Sequence, residues 1–169
     1  TYQVNTGLTS CTDASAGYYV PMTAATDQTA CAAGTYQPST GQSSCTDASA
    51  GYYVPMTAAT SQTACAAGTY QPSTGQSSCT DASAGYYVDS IAATSQIACP
   101  AGTYNPDTGS TSSSACLDTE AGYYTESFGS ATQTPCPVGT YNPNTGSSSS
   151  TACLDADEGY YVPVIASTS

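Results

Sequence analysis

The chain has 169 residues, no Lys, Arg or His, and twelve Asp and Glu, for a formal charge of −12. That balance excludes nucleic-acid binding, which relies on cationic contacts to phosphate, and attraction to anionic membranes. Nine cysteines at regular spacing point to an oxidising, extracellular setting rather than to zinc, because zinc sites take closely paired ligands and the nearest cysteines here are 14 residues apart.

In chain order the sequence is one unit written five times. Residues 1–30 form a partial repeat that starts mid-unit, since Thr1 to Cys11 aligns with Thr35 to Cys45. Residues 31–64 and 65–98 are complete repeats that differ at only four of 34 positions. Residues 99–135 make a longer repeat, and 136–169 end mid-unit, Ser169 aligning with Ser61. No atypical polar cap stands at either end, which favours a segment of a longer array or ends that dock on copies of themselves. Units this short rarely support a core without disulfides or neighbours, so a string of small modules is expected.

Each unit opens at a cysteine followed by A-A-G-T-Y or a close variant. Next comes Q-P-S-T-G, N-P-D-T-G or N-P-N-T-G, where Pro38, Pro72, Pro106 and Pro143 preset a turn that Gly41, Gly75, Gly109 and Gly146 close. The Thr-Tyr before the turn and the Ser-rich run after it are expected to form a small antiparallel pair. A second short strand is expected at A-G-Y-Y-V. No window keeps a helical period. In the last two units three extra residues before the second cysteine, ending at Cys116 and Cys153, read as a longer loop.

The cysteine gaps run 20, 14, 20, 14, 20, 17, 20, 17. Two pairings are open. One joins Cys31–Cys45, Cys65–Cys79, Cys99–Cys116 and Cys136–Cys153, and leaves Cys11 for a partner outside the segment. The other joins Cys11–Cys31, Cys45–Cys65, Cys79–Cys99 and Cys116–Cys136, and leaves Cys153. The first is preferred because it staples the base of the expected hairpin, at roughly 3 kcal/mol for a loop of that size.

The spacing C-x-x-G-T-Y…C resembles the ephrin-receptor-like cysteine-rich repeat and the first half-module of TNF-receptor cysteine-rich domains. Cys31, Gly34, Tyr36 and Cys45 carry the likeness, with the sets Cys65/Gly68/Tyr70/Cys79, Cys99/Gly102/Tyr104/Cys116 and Cys136/Gly139/Tyr141/Cys153. The resemblance implies that the flanking cysteines bridge each other. It departs from the family in the 20-residue connection, which holds no further cysteine. Such repeats are common in large surface proteins of algae and other protists.

Fifteen tyrosines, one Phe and no Trp make tyrosine the conspicuous side chain. Tyr36 and one ring of each pair such as Tyr52-Tyr53 are expected to form a miniature core against the disulfide, the other ring facing outward. Asp13, Asp47, Asp81, Asp118 and Asp155 follow the cysteines, and Asp155, Asp157 and Glu158 make the densest cluster. Solvated charge explains them, weak calcium bridging being the alternative, and the EF-hand frame is absent. Without His or Lys there is no Ser-His or Ser-Lys pair, so no enzyme is expected, nor any cofactor or metal.

Ser and Thr supply 53 residues, the composition of O-glycosylated stalks, while none of the four asparagines begins an N-x-[ST] sequon. O-glycan candidates lie on the turns: Thr40, Ser43, Ser44, Thr74, Ser77, Ser78, Thr108, Ser112, Ser113, Thr145, Ser148 and Ser149. No apolar run is long enough to span a membrane. The sequence therefore reads as a small disulfide-rich, β-rich tandem array of short hairpin modules forming an elongated rod or filament. The expected role is the core of a secreted or surface fibril, hair or stalk that contacts itself end to end or laterally and carries covalent O-glycans. The alternative is an adhesin or receptor-type ectodomain binding through its divergent repeats.

Overall fold

A computed structural model describes residues 1–3, 10–22 and 24–169. The part of the first partial repeat that aligns with the Pro-Gly turn, residues 4–9, lies outside the described residues. The chain divides into two compact units, Thr1–Thr80 with Ile91–Ser95, and Asp81–Ser90 with Gln96–Ser169.

The described residues form eight two-stranded antiparallel sheets, each a hairpin of two-residue strands. They are of two alternating kinds. In the first unit a YY hairpin pairs Tyr18–Tyr19 with Thr29–Ala30, and another pairs Tyr52–Tyr53 with Thr63–Ala64. Between them a TY hairpin pairs Thr35–Tyr36 with Thr46–Asp47. In the second unit YY hairpins pair Tyr86–Tyr87 with Ile97–Ala98 and Tyr123–Tyr124 with Thr134–Pro135. TY hairpins there pair Thr103–Tyr104 with Leu117–Asp118 and Thr140–Tyr141 with Leu154–Asp155. The return strand of each TY hairpin thus lies just past the second cysteine, not in the Ser-rich run before it.

The structural step is therefore half the sequence repeat. Glycines of positive φ open the hairpins at 17, 34, 51, 68, 85 and 102, a step of 17, and then at 122 and 139, with Gly159 next at the same repeat position. The two longer steps hold the extra residues of the last TY loops, which fold into 3-10 turns at Ser113–Ala115 and Ser150–Ala152. Ser112 and Ser149 cap those turns, each side chain accepting from the backbone N–H two residues on. This is the Ser/Thr habit of satisfying an orphan turn donor.

Consecutive hairpins are joined by backbone hydrogen bonds. Between the hairpins opened by Gly34 and Gly51, the Gly34 amide donates to the Val54 carbonyl (2.8 Å), Gln37 to Ala59 (3.0 Å) and Ala58 to Cys31 (2.8 Å). The same pattern recurs in the second unit, from Gly102 to Thr125, Asn105 to Ser130 and Gly129 to Cys99. Each such bond contributes about 1 kcal/mol net.

Hairpins of one kind also lie directly on the next of that kind. A Cβ on Gly17 would strike the Ala58 carbonyl, one on Gly34 the Gly75 carbonyl, and one on Gly51 the Ala92 carbonyl. Glycine is required here both for its positive φ and because backbone meets backbone.

That closeness sets the core. Ala14, Ala48, Ala82 and Thr119 alternate in the chain with Cys31, Cys65, Cys99 and Cys136, all fully buried, with Val20, Val54 and Val88 beside them. The tyrosine core expected from the sequence is not what forms. Tyr36, Tyr52 and Tyr53 are each half-buried, as are their equivalents from Tyr18 to Tyr141, and the period-two alternation does not divide the pair into an inner and an outer ring. Hairpins stacked through glycine fully bury Ala, Val, Cys, Thr and amide side chains and leave the rings half-buried.

The buried amides act as internal clamps. Gln37 donates from Nε2 to the Ser44 carbonyl (2.9 Å) and accepts from the Ser39 amide (3.1 Å). Asn105, one methylene shorter, donates to the Tyr86 carbonyl and to Ser110 Oγ (2.9 Å each) and accepts from the Asp107 amide. Among the described residues no buried side-chain N or O lacks a partner, as a low-dielectric interior demands.

Candidate functional site

The candidate site is the repeated surface. Four disulfides fasten it: Cys31–Cys45 and Cys65–Cys79 in the first unit, Cys99–Cys116 and Cys136–Cys153 in the second. Their Cα–Cα distances of 5.7, 5.8, 5.5 and 5.6 Å sit in the ordinary range for a bridge. The first cysteine of each pair is fully buried and the second half-buried. Each bridge therefore ties the TY return strand to the core. Cys11 is exposed with a free thiol.

The glycan candidates stand where a sugar has room. Thr40, Ser43, Ser44, Thr74, Ser77, Ser78, Thr108, Ser112, Ser113, Thr145 and Ser148 are exposed, and Ser149 is half-buried. Ser112 and Ser149 are less free than the others, because their oxygens already serve the 3-10 turns.

The acids are dispersed. Asp13, Asp47, Asp81, Asp118 and Asp155 are all exposed. Asp13 faces the loop glycine Gly41 and Asp47 faces Gly75, in each case 3.5 Å from where a Cβ would lie. No group of three His, Cys, Asp or Glu side chains able to hold a metal occurs among the described residues. Among the described residues two of the acids accept hydrogen bonds, Glu120 from Gln133 Nε2 at 3.2 Å and Glu126 from the Ser150 amide at 2.8 Å. The Ser150 hydroxyl first, and its amide second, hold the Glu126 carboxyl below the ordinary glutamate value.

One set of residues had no visible role in the sequence. Gln28, Gln62, Gln96 and Gln133 each accept, through Oε1, from the backbone amide 13 residues earlier, at Ser15, Ser49, Ser83 and Glu120 (2.7–2.8 Å). They close the base of every YY hairpin, where no disulfide exists. The recurrence of Gln at one repeat position was the available signal.

The second unit ends in a different surface. Tyr160 and Tyr161 align with the buried-edge YY pairs, yet they are 80% and 83% exposed. With Tyr141, Ala156, Asp157 and Val162 they line a hollow of about 310 Å³. A Cβ built on Gly139 or Gly159 meets nothing within 4 Å, whereas Gly85, Gly102 and Gly122 are each covered by the backbone of a hairpin further on.

Residues 51–97 match the family model described as tyrosine-protein kinase ephrin type A/B receptor-like. That stretch holds the Cys65–Cys79 bridge and a complete YY loop, so the likeness rests on one disulfide-stapled hairpin and its neighbour. No curated protein matches the chain. Among the described residues no helix is long and apolar enough to cross a membrane.

Proposed function

We propose that the chain is a structural protein without enzymatic activity: the repeat core of a secreted or surface-borne fibril, hair or stalk, coated with O-linked sugar. The observation that carries this reading is the reuse of one contact. Within each unit, hairpin after hairpin offers the same carbonyls and amides to the next and seats its opening glycine under a later loop. Such an array is quasi-one-dimensional, and a contact that repeats without closing builds a filament. Exposed hydroxyls on the TY loops support the sugar coat, which would hydrate the rod and shield its apolar atoms.

The receptor-type reading has its own support, the family match and the tyrosine-lined hollow at Tyr160 and Tyr161. Light scattering on the purified chain separates the two. The fibril reading expects mass that grows with concentration in the absence of any ligand. The receptor reading expects a fixed monomer mass that rises only on adding a ligand. Intact mass of material from the native source tests the coat: hexose- or pentose-sized increments on peptides carrying Thr40, Ser43 and Ser44 support it, and bare peptides remove it.

A further inference from the structure

We propose that the chain also packs side by side with a second copy of itself through the loop apices of its YY hairpins. Besides Val138, Tyr160 and Tyr161, the most exposed large apolar residues form a recurring set in the loops. In the first unit they are Met22, Met56 and Ile91, at 71–73% exposure. In the second they are Phe128, Val164 and Ile165. All stand at the same place, the two residues before the positive-φ position at Ala24, Ala58, Ala92, Gly129 and Ala166. The TY loops never use an apolar residue there. They carry Ser39-Thr40, Ser73-Thr74, Asp107-Thr108 and Asn144-Thr145. One kind of loop is thus apolar at its tip and the other polar, throughout the chain. Singly exposed apolar residues need no explanation, but a periodic row does.

The row identifies its occupant in two ways. First, YY hairpins follow one another in direct contact, Gly17 under the Ala58 carbonyl and Gly51 under that of Ala92, so the tips recur at a fixed structural step. A partner that meets the Met22, Met56 and Ile91 tips of the first unit must carry the same step, and a second copy does. Second, the loop is self-complementary. The Met56 tip itself forms part of the wall of an open hollow of about 350 Å³, together with Val54, Ala59, Thr60, Ser61 and Thr63. A protruding methionine next to a hollow is the arrangement an isologous contact uses, each copy's tip entering the other's hollow. Methionine, flexible and polarisable, suits such a seat.

This inference takes its biological role from the fibril reading, but it is measured separately. Sedimentation equilibrium of the full chain gives the strength of association, and electron microscopy gives fibre length. The variant Met22→Ser/Met56→Ser/Ile91→Thr/Phe128→Thr uses residues the fold already accepts, since Ser90 and Ser127 stand at the Met56 position and Thr57 at the Ile91 position. Each lost tip is expected to weaken pairing roughly tenfold, with the disulfides intact by mass. The single variant Met56→Ser, measured alongside, is expected to show its share of that loss. A variant that pairs as tightly as the parent overturns the proposal, as does a parent that stays monomeric at every concentration. Pairs without fibres would keep this contact and remove the fibril reading.

Discussion

Gly102 and Gly139 open two TY hairpins of the second unit with the same sequence, G-T-Y-N-P, and nearly the same φ, +85° and +90°. They differ in what lies above them. A Cβ at Gly102 would sit 2.5 Å from the Gly146 carbonyl oxygen and 3.4 Å from Ser148 Cβ, while one at Gly139 would meet nothing within 4 Å. Gly139→Ala therefore carries only the backbone strain of an L-residue at positive φ, ~1–2 kcal/mol. Gly102→Ala carries that strain and must also push the Gly146 loop away. The movement breaks the bonds from the Gly146 amide to the Thr119 carbonyl (2.8 Å) and from the Thr125 amide to the Ser147 carbonyl (3.0 Å). At about 1 kcal/mol each, these bring the loss to roughly 3–4 kcal/mol. Thermal unfolding followed by the near-ultraviolet dichroism of tyrosine converts the gap of ~2 kcal/mol into ~8–16 °C, at ~4–8 °C per kcal/mol for a domain of this size. Equal melting losses in the two variants would refute the stacking argument, because they would show that the hairpin above Gly102 contributes nothing.

Ala58 and Ala92 hold φ of +55°, where the TY loops place glycine; Ala58→Gly and Ala92→Gly should each raise stability by ~0.5–1 kcal/mol, relief of strain exceeding the added chain entropy, read as a higher melting temperature. Cys99→Ser with Cys116→Ser should lower stability by ~3 kcal/mol in denaturant titration, whereas Cys11→Ser, at an exposed free thiol, should leave it unchanged. Glu126 should titrate below the ordinary glutamate value in a carbon-detected NMR titration, and Ser150→Pro, which removes both donors yet suits the first position of a 3-10 turn, should return it to that value. Because its folded pKa is depressed, its small contribution is present above the ordinary glutamate pKa and fades as pH falls through the folded one.

Much of the hairpin chemistry is visible in the residues. The Pro-Gly turns and the C-x-x-G-T-Y frame signal loops with local causes, a preset φ and a glycine of positive φ, and the structure holds both. The half-length step is harder to see. The YY loop uses Ala58 where the TY loop uses Gly41, and Gln62 where the TY hairpin uses a disulfide, so two hairpins of one shape share almost no identity. The tyrosine core fails as an inference for a related reason. Ring size and hydrophobicity argue for burial, but stacked hairpins meet backbone to backbone at their glycines, and the fully buried positions go to small residues such as Ala48, Val54, Cys65, Thr119 and Asn105. The serines of the longer loops resemble plain linker, yet Ser112 and Ser149 are turn caps, a role set by the position of an unpaired N–H.

The central claim is that these hairpins continue themselves from one copy to the next. Negative-stain electron microscopy of the purified, unreduced chain, at rising concentration and with no ligand added, tests it most directly. The account predicts unbranched filaments that lengthen with concentration. Monodisperse particles of constant size across the series would contradict it and leave the receptor-type repeat as the reading that stands.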